Sequence, residues 1–121
     1  MTSIETIDEI NRRAWELPET DLSAARALAI EAGEIARSLD EPYIAGIAQS
    51  MRTLGWCAYR DGDFSAAIDS FSESLLLFRQ YGDRAGEASV LNNMGSVYHS
   101  MGEYRLALDQ VEASAAITST T

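Results

Sequence analysis

Residues 51–71, MRTLGWCAYRDGDFSAAIDSF, and residues 91–111, LNNMGSVYHSMGEYRLALDQV, carry one pattern twice. At an offset of 40, Met51 pairs with Leu91, Leu54 with Met94, Gly55 with Gly95 and Gly62 with Gly102. Asp63-Phe64 then matches Glu103-Tyr104, and Ala67-Ile68 matches Ala107-Leu108. The register extends backward, where Gly46 and Ala48 pair with Gly86 and Ala88. A fixed period of this kind marks a chain built by stacking copies of one supersecondary unit.

Each unit reads as two helices. Ile47, Met51, Leu54 and Ala58 fall at i, i+4, i+7 and i+11, the stripe of a helix packed on one side. Gly62 stops that helix, and Asp63 is placed to cap the next, whose Phe64, Phe71 and Phe78 lie seven apart with Ala67, Ile68 and Leu75 widening the face. Gly82 and Asp83 repeat the stop and the cap. A fifth helix carries Leu91, Met94 and Tyr98, Gly102 ends it, and a sixth runs from Tyr104 through Leu108, Val111 and Ala115.

The first forty residues hold a weaker copy. Ile7, Ile10, Ala14 and Leu17 mark one helix, Pro18 to Asp21 a turn, and Leu22 to Ser38 an Ala-rich second helix. Pro42 stands where the next unit has Gly82 and suits a helix's first turn. The expected fold is all-α, a right-handed solenoid of three antiparallel helix pairs, six helices in one domain over residues 1–118. Its units are placed at about 4–39, 42–81 and 84–118, with a polar tail at 119–121.

These residues resemble the tetratricopeptide repeats, whose helix pair is marked by a large residue, Leu-Gly, an aromatic, then Gly-acidic-aromatic and a small residue. Met51, Leu54-Gly55, Tyr59, Gly62-Asp63-Phe64, Ala67 and Phe71 follow that order, and so do Leu91, Met94-Gly95, Tyr98, Gly102-Glu103-Tyr104, Ala107 and Val111. The resemblance implies that Gly55 and Gly95 sit where two helices of a pair cross, and that Phe64 and Tyr104 fill the space near the turn. Two departures stand out. The period is 40 rather than the family's common, shorter one, similar to variants in kinesin light chains and bacterial signalling proteins, and Ser74 and Ser114 occupy positions where the family usually has Ala.

Composition narrows the function. The 121 residues carry 19 Asp and Glu against 9 basic residues, every one Arg, for a net charge of -10. A nucleic acid or an anionic membrane surface is repelled by such a chain. One Cys and one His exclude a disulfide framework within the chain and the usual Cys/His zinc sites, and no cofactor or metal is expected. The start, MTSIETIDEI, is acidic where a signal peptide is basic and then apolar, and no apolar run approaches a membrane span, so a reduced, cytoplasmic protein is expected.

Catalytic chemistry finds little footing. Asp61-Gly62-Asp63 begins like a calcium loop, but the sixth position is Ala66 and the twelfth Ser72, where that loop needs Gly and a bidentate Glu. His99 lies near Ser96, Ser100 and Glu103 in sequence, a grouping that ordinary helix surfaces also produce. Cys57 has no second Cys in a Cys-x-x-Cys spacing, and it reads as a small buried side chain. No enzyme is expected.

A binding face is the better candidate. The resemblance implies that the first helix of each pair lines a concave groove. The face about 100° from the core stripe carries Asn11, Arg12 and Trp15 on the first helix, Arg52, Trp56, Tyr59 and Arg60 on the third, and Asn92, Asn93, Ser96 and His99 on the fifth. Trp, Tyr and Arg supply large area with planar hydrogen bonding at binding hot spots. The expected function is therefore a protein-interaction module holding a peptide or partner protein, with an acidic group preferred. On the bland alternative, Trp15 and Trp56 fill the seam between units and Arg52 pairs with a carboxylate.

The last helix raises a second expectation. Leu108 and Ala115 correspond to Ile68 and Leu75, which meet the next unit, so together with Val111 they point either to self-association as a homodimer or to a chain cut from a longer protein. The alternative function is accordingly the N-terminal sensory or dimerisation segment of a larger bacterial signalling protein, ahead of a diguanylate cyclase or kinase output domain.

Overall fold

The computed structural model describes residues 1–17 and 19–119. It contains α1 (Ser3–Glu16), α2 (Leu22–Ser38), α3 (Ile44–Arg60), α4 (Phe64–Tyr81), α5 (Arg84–Ser100) and α6 (Tyr104–Ser119). Ser119 thus belongs to α6, while Thr120, Thr121 and the Pro18 of the first turn lie outside the described residues.

The helix ends follow from local chemistry. Thr2, Asp21, Asp63 and Asp83 each accept a hydrogen bond from the backbone N–H three residues on, the N-cap that satisfies one orphan donor and stabilises a helix by about 1 kcal/mol. After α3, α4 and α5 the chain makes one turn three times. Gly62, Gly82 and Gly102 take φ of 82°, 82° and 80°, a left-handed conformation that glycine adopts without Cβ strain. The next N–H, of Asp63, Asp83 or Glu103, donates back to the carbonyl of Ala58, Phe78 or Tyr98 at 2.9 Å. The turn between α2 and α3 is different. Leu39 is extended, the Tyr43 N–H reaches Ala36 O at 3.0 Å, and Pro42 precedes the cap Tyr43 instead of lying in the first turn of α3.

Consecutive helices pack against each other, giving an all-α solenoid. α3 also touches α1 and α5, whereas α2, α4 and α6 make no such contacts among the described residues. The odd helices therefore lie on the crowded, concave side and the even helices on the splayed one. The core forms two clusters along the stack rather than one closed centre. Ile7, Ala32, Ala36 and Ile47 bury its first part, and Ala48, Phe71, Phe78, Val90, Leu91, Met94 and Val97 the rest. A fully buried Phe71 contributes about 1.5–3 kcal/mol by removing its ring from water.

Close helix approach is bought with missing side chains. A Cβ on Gly55 would stand 2.8 Å from the Phe71 ring, and one on Gly95 3.0 Å from Val111 Cγ2, so both glycines sit at the crossing within a pair. Ser74 Oγ donates to Ala48 O at 2.7 Å, and Ser114 Oγ to Ala88 O at 2.9 Å. Both serines are buried, and each hydroxyl straps the second helix of its pair to the first. Tyr104 departs from the expected turn-filling role. It is 64% exposed, whereas Phe64 is half-buried against Tyr59.

Candidate functional site

The concave side is organised by aromatic rings. Trp15 of α1 lies 6.2 Å from Trp56 of α3, Trp56 lies 5.0 Å from Tyr59, and Tyr59 lies 5.8 Å from Phe64, all tilted and all half-buried. Contacts at these separations stabilise beyond simple area burial. The tryptophans do fill the seam between α1 and α3, and they remain partly open to solvent there.

Arg52 crosses this run. Its guanidinium carbon is 3.9 Å from the centre of the Trp15 ring, a cation–π distance, and its Nε donates to Asn93 Oδ1 at 2.8 Å. One side chain of α3 thus ties α1 to α5. No carboxylate lies within ion-pair distance of it among the described residues. Burial pushes its pKa down to about 10, which still leaves it charged at neutral pH.

The other two arginines of the face are occupied. Arg12 bonds Glu9 at 2.6 Å and Glu16 at 2.8 Å, and its pKa is raised, first by the hydrogen bond to Glu9. The same bond holds the Glu9 carboxyl below its ordinary range. Arg60 pairs with Glu19 at 2.9 Å. Arg52 differs from both in being desolvated without a counter-charge, and such a cation is stabilised by an incoming anion.

The remaining face residues divide. Asn11 is 3% exposed and donates from Nδ2 to Gly46 O at 3.0 Å, so it is a strut between α1 and α3. Asn93 is held by Arg52, while Asn92 and Ser96 are exposed. His99 packs edge-on to Tyr104 at 5.2 Å, Ser100 bonds the Tyr59 hydroxyl at 2.7 Å, and the Ser96 hydroxyl donates to Asn92 O. The two serines near His99 are thus engaged elsewhere. Among the described residues no three His, Cys, Asp or Glu side chains gather as metal ligands do.

Two of the hollows beside the aromatic run bear on the site. The larger, about 480 Å³, lies between α5 and α6 and is bordered by Tyr59, Asn92, His99, Tyr104, Leu108 and Val111. Leu108 is 53% and Val111 47% exposed there, and Ala115 is exposed as well. The smaller, about 280 Å³, lies between α1 and α3, with Asp8, Glu16 and Gln49 in its wall beside Asn11, Arg12 and Trp15. Those three additions escape a reading of the sequence, because Asp8 is set by the Tyr43 hydroxyl, which donates to it at 2.9 Å across 35 residues of chain. Burial, with Asp8 second, pushes the Tyr43 pKa up to about 12.

A helix-pair stack with this turn, this glycine crossing and this odd-helix face has a counterpart among known families. The family model of the tetratricopeptide repeat matches residues 60–119. The chain belongs to the tetratricopeptide repeat family. No curated protein is similar enough to the chain to be matched with it. The match begins at the last residue of α3 and takes in α4, α5 and α6. As a tetratricopeptide repeat protein the molecule is a protein–protein interaction scaffold in its coarse function. None of its described helices is long and apolar enough to cross a membrane.

Proposed function

We propose that the scaffold holds a peptide or partner protein against the concave face of α1, α3 and α5, with an acidic group of the ligand at Arg52. The observation that carries this is the desolvated Arg52, stacked over Trp15 and within ion-pair distance of no carboxylate among the described residues. Trp15, Trp56 and Tyr59 supply the apolar area, and the exposed Asn92 and Ser96 supply side groups for an extended backbone. The middle third of the chain, residues 42–81, balances four acids with three arginines, while residues 1–41 have ten acids against four arginines. An acidic ligand is thus repelled least where Arg52 sits. The overall charge of -10 supports a protein partner over a nucleic acid or a membrane.

Panning a library of random linear peptides on the wild type and on the Arg52→Ala plus Trp56→Ala variant tests the reading. Wild type should enrich peptides containing Asp, Glu or a free carboxyl terminus, and the variant should lose them. Recovery of the same peptides on a folded variant would overturn it.

The exposed Leu108 and Val111 favour a second reading, self-association through α6, as in a dimerising sensory segment of a larger bacterial signalling protein. Light scattering should then give a dimer at tens of micromolar that Leu108→Glu dissociates, and a monomeric wild type would exclude it.

A further inference from the structure

The recess between α1 and α3 contains a polar atom that the acidic-ligand reading leaves unused. Asn11 lines this recess and is 3% exposed. Its Nδ2 bonds Gly46 O, but its Oδ1 is buried and accepts no hydrogen bond. An acceptor left in that condition is destabilising, and an entering donor removes the penalty.

The surrounding carboxylates are half used. Asp8 Oδ1 accepts from the Tyr43 hydroxyl at 2.9 Å, and Glu16 Oε1 accepts from Arg12 Nη1 at 2.8 Å. Among the described residues the second oxygen of each carries no hydrogen bond. Arg12 is shared with Glu9, so this wall keeps an excess of negative charge over its one arginine. Gln49 adds an amide carbonyl from α3, and Trp15 adds an aromatic ring. A carboxylate or a hydrocarbon entering here would leave the Asn11 oxygen unpaired. A group with several N–H donors and positive charge would satisfy it.

We infer that the recess binds a primary ammonium group, either the end of a lysine side chain or the α-ammonium of a peptide's first residue. Asn11 Oδ1 accepts one of its N–H donors, Asp8 and Glu16 balance its charge, and Trp15 contributes a cation–π contact. The inference deepens the concave-face reading and rests on it. Trp15 borders both this recess and Arg52, so a ligand with an ammonium at one and a carboxylate at the other is held in a single direction.

The test is an NMR titration of the ¹⁵N-labelled full chain with three probes: N-acetyl-lysinamide, alaninamide and the neutral N-acetyl-norleucinamide. Saturable shifts of the Trp15 indole N–H and the Asn11 side-chain amide are expected with an ammonium probe and not with the norleucine one. Stronger binding of the lysine probe identifies a side chain as the source, and stronger binding of alaninamide identifies a chain terminus. The exposed pair Asp8→Asn plus Glu16→Gln should weaken binding about three- to tenfold in a variant whose spectrum stays dispersed. Equal shifts with norleucinamide, ammonium shifts untouched by the double variant, or no shift with either ammonium probe would overturn the inference. None of the probes carries a carboxylate, so those results leave the Arg52 reading standing. Conversely, Arg52→Met losing acetate binding while keeping ammonium binding separates the two sites.

Discussion

The guanidinium of Arg52 sits 3.9 Å from the centre of the Trp15 ring, joining α3 to α1 through a charge that has been partly stripped of water. The same side chain bonds Asn93 of α5, so one residue reaches all three helices of the concave face. A partly buried cation without an opposite charge adds little net stability, because desolvation offsets what the ring and the amide return. Its position fits the proposed binding role.

Arg52→Met should therefore leave the unfolding free energy within about 1 kcal/mol of wild type, while abolishing selection of acidic peptides. Urea denaturation followed by far-UV circular dichroism measures the first, and the peptide panning described above the second. A loss of 3 kcal/mol or more would instead make Arg52 a structural strut.

The two crossing glycines should respond unequally to alanine. Each gains about 1 kcal/mol in helix propensity. Gly55→Ala drives a Cβ to 2.8 Å from the buried Phe71 ring, which has no room to yield, and overpacking should leave it less stable by a net 1–2 kcal/mol or so. Gly95→Ala meets Val111 at 3.0 Å, and Val111 is 47% exposed and can shift outward, so its stability should stay within about 0.5 kcal/mol of wild type. Thermal unfolding of the two variants side by side decides it.

Tyr43 should make stability fall at high pH. Its phenol is held protonated in the folded state with a pKa pushed up to about 12, against an ordinary value of 10.0, by burial and then by Asp8. Between those values the unfolded chain releases the proton and the folded chain keeps it, so the contribution present below pH 10 is lost as pH approaches 12. In an ultraviolet titration Tyr43 should ionise late, and Tyr43→Phe should remove that late step.

Cys57 is buried, and burial pushes its thiol pKa up. The native protein should therefore react slowly with a disulfide reagent at pH 8 and fast once unfolded in urea, since the thiolate is the nucleophile. Equal rates in both states would mean that α3 opens readily.

The forty-residue period, the six helices and the capped glycine turns follow from the sequence, because each rests on local chemistry or on a periodicity that one helix displays alone. Gly62 and Asp63 announce their turn within two residues, and the Phe64, Phe71 and Phe78 spacing needs no partner to be recognised. Which residues share one face of a helix is also legible, since side-chain direction on a helix is fixed by position along it. Their states are only partly so. Glu9 and Glu16 neutralise Arg12 within α1 at spacings the sequence displays, but only packing shows that Glu19 neutralises Arg60 while Arg52 stacks on Trp15. Asn11 likewise reads as a groove residue until α3 is placed against α1 and its amide turns inward to Gly46. Local conformation and the ion pairs within one helix depend on neighbours in the chain, whereas burial and the partners of Arg52 and Arg60 depend on which helices meet, and the tertiary structure alone decides that.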